Sequence, residues 1–187
     1  GALTVLAVQI LPYVASAYAQ VNIALDNEFR TSIYGQAPSS QVFWTPERVS
    51  NADVLQKVSD AGFTYSFVDQ MRHIFKWFGR SSALGSDGYR VNQIGRTKTF
   101  VINDGVSSQL FTNTDNVATI LLRQLLSRKA RDGTQDQVVT FVNQWEDCSV
   151  KANADAYDKN IWWLAIHPWL QIFTLDQIAT AAVTFNA

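Results

Sequence analysis

Cysteine is almost absent from this chain. Among 187 residues only Cys148 occurs, so a disulfide within the chain is impossible and a cysteine-only zinc site is excluded. Histidine is nearly as scarce: His73 and His167 are far apart and show no HxxxH or HExxH spacing. A zinc hydrolase or a zinc-dependent polysaccharide deacetylase is therefore disfavoured, leaving open only a site that mixes a histidine with carboxylates. No metal site and no organic cofactor is assigned. An excess of charge of one sign is lacking too, with 15 Lys+Arg against 16 Asp+Glu and a net charge of −1. Nothing in that balance suits a nucleic acid, and no charge run marks a membrane surface. Repeats, low-complexity stretches and linkers are missing. The most apolar stretch, Leu3 to Gln20 (LTVLAVQILPYVASAYAQ), is interrupted by Pro12 and is too short for a transmembrane helix. No initiator Met or basic segment precedes it, so it reads as a buried strand, Thr4 to Ile10, followed by a helix, in preference to a signal peptide. Neither a cytoplasmic nor a secreted location is singled out.

What is present is a core. Hydrophobic residues make up 47% of the chain, and its length suits one domain over residues 1–187. Val14, Tyr18, Val21, Leu25, Phe29 and Ile33 have helical spacing over Val14 to Tyr34, and Gly35 ends that helix. Gln41 to Trp44 reads as a short strand stopped by Pro46. Ser50 with Asp53 resembles a capping box for a helix through Val54, Leu55 and Val58, closed by Gly62. Phe63 to Asp69 is aromatic and β-branched, hence a strand. Together these form a strand–helix–strand unit of the parallel type.

Further on, Met71 to Phe78 suits a short helix. Tyr89 to Ile94 and Thr97 to Asn103 suit two strands joined at Gly95-Arg96, the second ending in the turn-like Asp104-Gly105. Val117 to Ala130 suits a helix. Val138 to Val142 has the continuous apolar character of a buried parallel strand. Asn153 to Ile166 suits a helix and Leu170 to Phe173 a last strand. Thr174 with Gln177 caps a final helix, Leu175 to Val183. Five or six strands with interleaved helices predict an α/β fold, either a parallel barrel or an open sheet. In both, chemistry sits beyond the carboxyl ends of the strands. The polar groups placed there are Glu47, Asp69, Asp104 and the run Asn143 to Asp147.

The segment Val42 to Asp69, VFWTPERVSNADVLQKVSDAGFTYSFVD, resembles the third sequence block of family 57 glycoside hydrolases. That block is an apolar strand ending in Trp-x-x-Glu, a helix with Leu-x-x-(Leu/Val)-x-x-(Ala/Gly)-Gly, and a strand ending in Asp. Trp44, Pro46, Glu47, Leu55, Ala61, Gly62, Tyr65 and Asp69 fall in register with it. Ile10-Leu11-Pro12 resembles the stretch before that block. Lys98 to Ser108 (KTFVINDGVSS) resembles the family's following strand, and Gln137 to Ser149 (QVVTFVNQWEDCS) its fourth block. The resemblance covers roughly Val8 to Ala179. It implies a partial (β/α)7-type parallel barrel with helices outside, and a retaining α-glycosidase or glucanotransferase acting on α-glucans or oligosaccharides.

The resemblance puts the nucleophile at Glu47, beside Trp44, an aromatic able to stack on a sugar ring. A retaining enzyme also needs a second carboxyl group as acid/base, about 5 Å from the first. Here the sequence departs from the family. With Glu146 aligned to the family's Glu, the acid position falls on Gln144, which cannot act as an acid/base. The role then passes to Glu146 or Asp147. Along a strand Gln144 and Glu146 share a face, which favours Glu146. The alternative is a catalytically inactive carbohydrate-binding or structural module of the same fold. Substrate ligands are expected among Trp44, Asp69, His73, Asp104, Gln144 and Trp145. The family's His-rich first block has no counterpart, which implies missing upstream strands and a partner in the rest of a longer chain. Plainer readings stand beside these. Glu47 can pair with Arg48 or Arg72, Trp162, Trp163 and Trp169 can be core, Cys148 can be a buried small residue, and His167 can be structural.

Overall fold

Two parallel strands, buried on both faces, carry the fold. The computed structural model describes residues 11–35, 40–70, 73, 86–112, 115 and 137–180. Strand β1 (Tyr65–Asp69) and strand β3 (Thr97–Ile102) run side by side, with Tyr65 opposite Lys98 and Asp69 opposite Ile102. Only Lys98 of the two strands is exposed, as expected of strands covered on both sides. Strand β2 (Asn92–Ile94) folds back antiparallel onto β3 through Gly95-Arg96, where Gly95 takes φ 60°. The sheet order is β1-β3-β2.

Two further segments touch this sheet through single parallel bridges, Val42 to Tyr65 and Thr140 to Ile102. Tyr65 and Ile102 are each paired on their other edge as well, so the order across the sheet is Val42, β1, β3, Thr140. All four segments point the same way, and their carboxyl ends share one edge.

The expected barrel is not seen among the described residues: the sheet has three strands, one of them antiparallel. Among the described residues the strands expected at 41–44 and 138–142 reduce to isolated bridges, for a local reason. The N–H of Phe43 bonds to Tyr65 O, but Pro46 begins a short 3-10 turn (Pro46–Arg48) that peels the chain away. At the other side, the N–H groups of Val138 and Val142 bond to Tyr89 O and Ser107 Oγ, so they are not available to a strand ladder. The strand expected at 170–173 is irregular and mostly exposed. The expected strand at 4–10 and helices at 71–78 and 117–130 fall on residues outside those described, His73 excepted.

Helix α1 (Ser16–Tyr34) ends at Gly35, whose φ of 74° is the left-handed C-cap that glycine favours. Helix α2 (Ala52–Asp60) is capped by Asn51, whose Oδ1 accepts from the Val54 N–H at 2.9 Å. The expected Ser50–Asp53 box is thus displaced by one residue, and Ser50 is buried instead. Helix α3 (Asp104–Gln109) starts where a turn is expected, because Asn103 caps it. Helix α4 (Lys151–Ile166) follows a 3-10 turn at Trp145–Ser149. Helix α5 (Leu175–Thr180) begins with the expected reciprocal box: Gln177 N–H donates to Thr174 Oγ1, and Thr174 N–H to Gln177 Oε1.

The two faces of the sheet carry separate cores. Leu11, Ala19, Ile23, Phe43, Val54, Val58 and Phe63 pack where α1 and α2 cover it. Val42, Tyr65, Phe67, Val91, Phe100 and Ile102 form the opposite core, against which Trp44, Val142, Leu175 and Ile178 pack. Each fully buried Phe or Val contributes about 1.5–3 kcal/mol relative to an exposed one. The stripe expected to bury α1 does not do so. Its buried positions are Ala19, Asn22, Ile23 and Asp26, while Tyr18, Val21, Leu25, Phe29 and Ile33 are exposed. Asp26 is tolerated inside because Arg30 Nε lies 2.7 Å from its Oδ2.

Candidate active site

Period-two alternation sets which side chains face the site. Val42 and Trp44 point to one face of the sheet and Phe43 to the other. On the first face Trp44 meets Phe67 edge-on at 5.2 Å, Phe67 meets Phe100 at 5.8 Å, and Phe100 stacks on Tyr65 at 5.4 Å. This aromatic row supports the half-buried Trp44 from below. Asp69 shares that face, two residues beyond Phe67, at the carboxyl end of β1.

Glu47 and Arg48 both have φ of 53°. Left-handed backbone costs a non-glycine residue about 1–2 kcal/mol, and two such residues in succession mark a stored strain of the kind found at functional sites. The turn is held by Arg48 N–H to Thr45 O at 3.0 Å and Val49 N–H to Pro46 O at 3.2 Å. It leaves Glu47 exposed beyond the Trp44 segment.

Arg48 does not pair with Glu47. Its Nη1 reaches Asp69 Oδ1 at 3.3 Å, with the Asp69 side chain fully buried and that of Arg48 mostly so. The backbone N–H of Asp69 in turn donates to His73 Nδ1 at 2.7 Å, and His73 is buried. Because Nδ1 accepts, the imidazole proton of a neutral His73 lies on Nε2. Glu47, Arg48, Asp69 and His73 are thus tied through adjacent backbone and three side chains at one end of the sheet.

At the other side of the same edge, Asn103 bonds in four directions. Its N–H donates to Thr140 O at 2.7 Å, its Nδ2 to Tyr89 Oη at 2.9 Å, and its Oδ1 accepts from Val106 N–H. Its carbonyl accepts from Ser107 Oγ. Ser107 then holds the fourth-block segment: Val142 N–H donates to its Oγ at 3.0 Å, and Asn143 Nδ2 to its carbonyl at 2.8 Å. Gln144, Glu146 and Asp147 are exposed just beyond. Trp145 to Ser149 is a 3-10 turn and not a strand, so the alternation that favoured Glu146 over Asp147 does not apply. The side chains of Asp104 and Trp145 lie outside those described; Asp104 opens α3.

The sheet order therefore places Glu47 and Asp69 on adjacent segments, with Asp104 and Gln144 to Asp147 following on the next two. Adjacent segments are about 4.8 Å apart. Reading the sequence missed Arg48, Asn103 and Ser107 as organising residues. Asn103 had a signal, since Asn immediately before a helix is a preferred cap; nothing in the sequence tells that Arg48 turns to Asp69. The tryptophans at the far end are not uniformly core: Trp163 packs inside, but Trp162 and Trp169 are exposed. His167 Nδ1 lies 2.6 Å from Trp163 O, a structural placement. Cys148 is half-buried. Among the described residues no three His, Cys, Asp or Glu side chains gather as metal ligands, and no helix is long and apolar enough to cross a membrane.

A small mixed sheet with helices against it, and buried polar residues beyond the carboxyl ends of its parallel strands, is an α/β fold. The chain belongs to glycosyl hydrolase family 57, whose family model matches residues 8–157. No curated protein matches it. Among solved structures it is similar to a 4-alpha-glucanotransferase from Thermococcus litoralis, with a TM-score of 0.73 and 14% identity, covering 97% of this chain and 28% of that one. It is also similar to an exo-type maltose-forming amylase from Pyrococcus sp. ST04, with a TM-score of 0.62 and 13% identity, covering 95% of this chain and 30% of that one. The chain thus spans under a third of either protein.

Proposed function

We propose that this chain carries the nucleophile of a retaining α-glycosidase or glucanotransferase acting on α-glucans or their oligosaccharides. The observation that carries the reading is Glu47: an exposed carboxylate on a strained turn, one residue from an Arg anchored on buried Asp69. Family membership and the names of the two similar proteins support the substrate class.

In this reading the Glu47 carboxylate attacks the anomeric carbon while the glycosidic C–O bond breaks. The departing oxygen takes a proton from Glu146 or Asp147. The resulting carboxylate then removes a proton from water, or from an acceptor sugar hydroxyl, which attacks the same carbon and releases Glu47. Trp44 stacks on a sugar ring, and Asp104, Gln144 and Trp145 are the further substrate-facing candidates, whereas Asp69 and His73, both buried, support the turn from behind. Arg48 fixes the turn. The test is release of reducing sugar and 4-nitrophenol from α-glucans and aryl α-glycosides by wild type and Glu47→Gln. Activity lost in the variant supports the reading; a folded wild type without activity overturns it.

A second reading, an inactive carbohydrate-binding module, is favoured by one residue. Gln144 stands where the resemblance puts the acid/base. Calorimetric binding of malto-oligosaccharides without turnover would support it.

A further inference from the structure

The ladder on the outer edge of β1 stops where the Glu47 turn begins. Tyr65 N–H donates to Gln41 O at 3.1 Å, and Phe43 N–H to Tyr65 O at 2.9 Å. The strand repeat is two residues, so the N–H of Asp69 faces the same edge as that of Tyr65. In a parallel ladder continued in this register, Asp69 N–H would donate to Thr45 O. Here Thr45 O accepts instead from Arg48 N–H at 3.0 Å, the bond that closes the strained turn, and Asp69 N–H donates to His73 Nδ1 at 2.7 Å. The imidazole stands in for the departed strand. We propose that His73 is a positioning residue for the nucleophile: by accepting the Asp69 N–H it frees Thr45 O for the turn and fixes the residue on which Arg48 is anchored.

The inference rests on the reading of Glu47 as nucleophile. It replaces the direct contact with substrate expected of His73 from the sequence, because the residue is only 4% exposed. Asp69 is held twice, by its N–H on His73 and by its Oδ1 on Arg48 Nη1 at 3.3 Å. Without the imidazole a buried N–H loses this acceptor, which is costly, and Thr45 O is the acceptor that the strand register offers next. If Asp69 N–H takes it, Arg48 N–H gives up its own bond. The left-handed backbone at Glu47 and Arg48 then has less to over-determine it. A displacement of the carboxylate by about 1 Å is enough to lower turnover about 100-fold. The form of the ring that accepts at Nδ1 is the neutral one protonated at Nε2.

The experiment is steady-state kinetics on an aryl α-glycoside, with nitrogen NMR of the isotope-labelled histidines beside it and urea unfolding to verify that each variant is folded. An asparagine side chain carries its oxygen as many bonds from Cα as Nδ1, so His73→Asn keeps the acceptor and His73→Leu removes it. His73→Leu is expected to lower kcat about 100-fold with KM within about 2-fold of wild type, and His73→Asn to recover at least about 10-fold of that loss. In an Arg48→Ala background the His73→Leu change should cost less than about 3-fold, since both residues act through one turn. The chain has two histidines, so comparing wild type with His73→Asn assigns the His73 signals, and its Nδ1 should be unprotonated. With an active wild type, an unchanged kcat in His73→Leu, a raised KM in place of a lowered kcat, no recovery in His73→Asn or a protonated Nδ1 overturns the positioning role and leaves the Glu47 reading standing. A folded wild type without activity overturns the Glu47 reading and this inference with it. Should His73→Leu fail to fold, His73→Gln, whose oxygen lies one bond further out, takes its place with the same expectations.

Discussion

Arg48 Nη1 lies 3.3 Å from Asp69 Oδ1, and this contact fastens the turn that carries Glu47 to the end of the neighbouring strand. The pair joins two sequence positions 21 residues apart, one just past a parallel segment and the other the last residue of β1. It fixes the backbone direction at Glu47 without occupying the Glu47 carboxylate.

Removing Arg48 tests that coupling. Asp69 is fully buried, so losing a cationic partner leaves a carboxylate less compensated away from water. Arg48→Ala is expected to destabilise the fold by about 2 kcal/mol, below the range for two fully buried partners because the guanidinium retains some exposure. Arg48→Lys should recover part of the loss. Urea unfolding measures both, and a change within about 0.3 kcal/mol for Arg48→Ala would show that the pair does not hold the turn.

The strain at Glu47 is separable from its chemistry. Glycine adopts φ 53° freely and alanine does not. Glu47→Gly should therefore be more stable than Glu47→Ala by about 1 kcal/mol, while both lack glycosidase activity. Equal stability would mean that the backbone at this position is not held left-handed in solution.

Glu146 and Asp147 are distinguished by kinetics. Replacement of the acid/base by its amide should lower turnover about 10²–10⁴-fold on substrates with poor leaving groups, and much less on 4-nitrophenyl glycosides. Azide should restore product formation in that variant with retained configuration at the anomeric carbon. Glu146→Gln and Asp147→Asn measured side by side assign the role to whichever shows this pattern. Neither showing it points to the inactive reading.

Asn103 is expected to be a stability hub. It caps α3 and bonds Tyr89 from a buried position. Asn103→Ala removes the cap and leaves the Val106 N–H and the Tyr89 hydroxyl without this partner, a loss of about 2–3 kcal/mol. Because Ser107 on the same helix holds Val142 and Asn143, activity should fall more steeply on warming than in wild type.

Tyr157 reports through alkaline unfolding. Burial, and next the nearby Cys148, push its phenol above the ordinary value. A raised folded-state value means that the neutral form is the one the fold prefers. That contribution is fully present below the unfolded value near pH 10 and is lost as pH rises through the folded value. Tyr157→Phe, keeping the stack on Phe111 at 5.5 Å, should flatten the fall in stability above about pH 10 and change little below it.

Several features were legible from local chemistry. Gly35 and the Thr174–Gln177 box act where the sequence places them, because caps are satisfied by residues three or four positions away. The strand at Tyr65–Asp69 and the hairpin at Gly95-Arg96 follow from β-branched runs and a glycine turn. The 138–142 strand was overestimated for a reason no local pattern carries: the N–H groups of Val142 and Val138 find partners in Ser107 and Tyr89, distant in sequence.

The sequence by itself determined the α/β class, the order of its main elements, the family and the position of Glu47 past an apolar segment, since each depends on residue type at short spacing. Only the tertiary structure decided that Arg48 answers Asp69 and leaves Glu47 unpaired, that Asn103 caps α3, and that α1 buries Ala19, Asn22, Ile23 and Asp26 in place of its more apolar stripe. Periodicity identifies a face, but which face meets a neighbour is set by the shape and the hydrogen-bonding groups of what lies across from it.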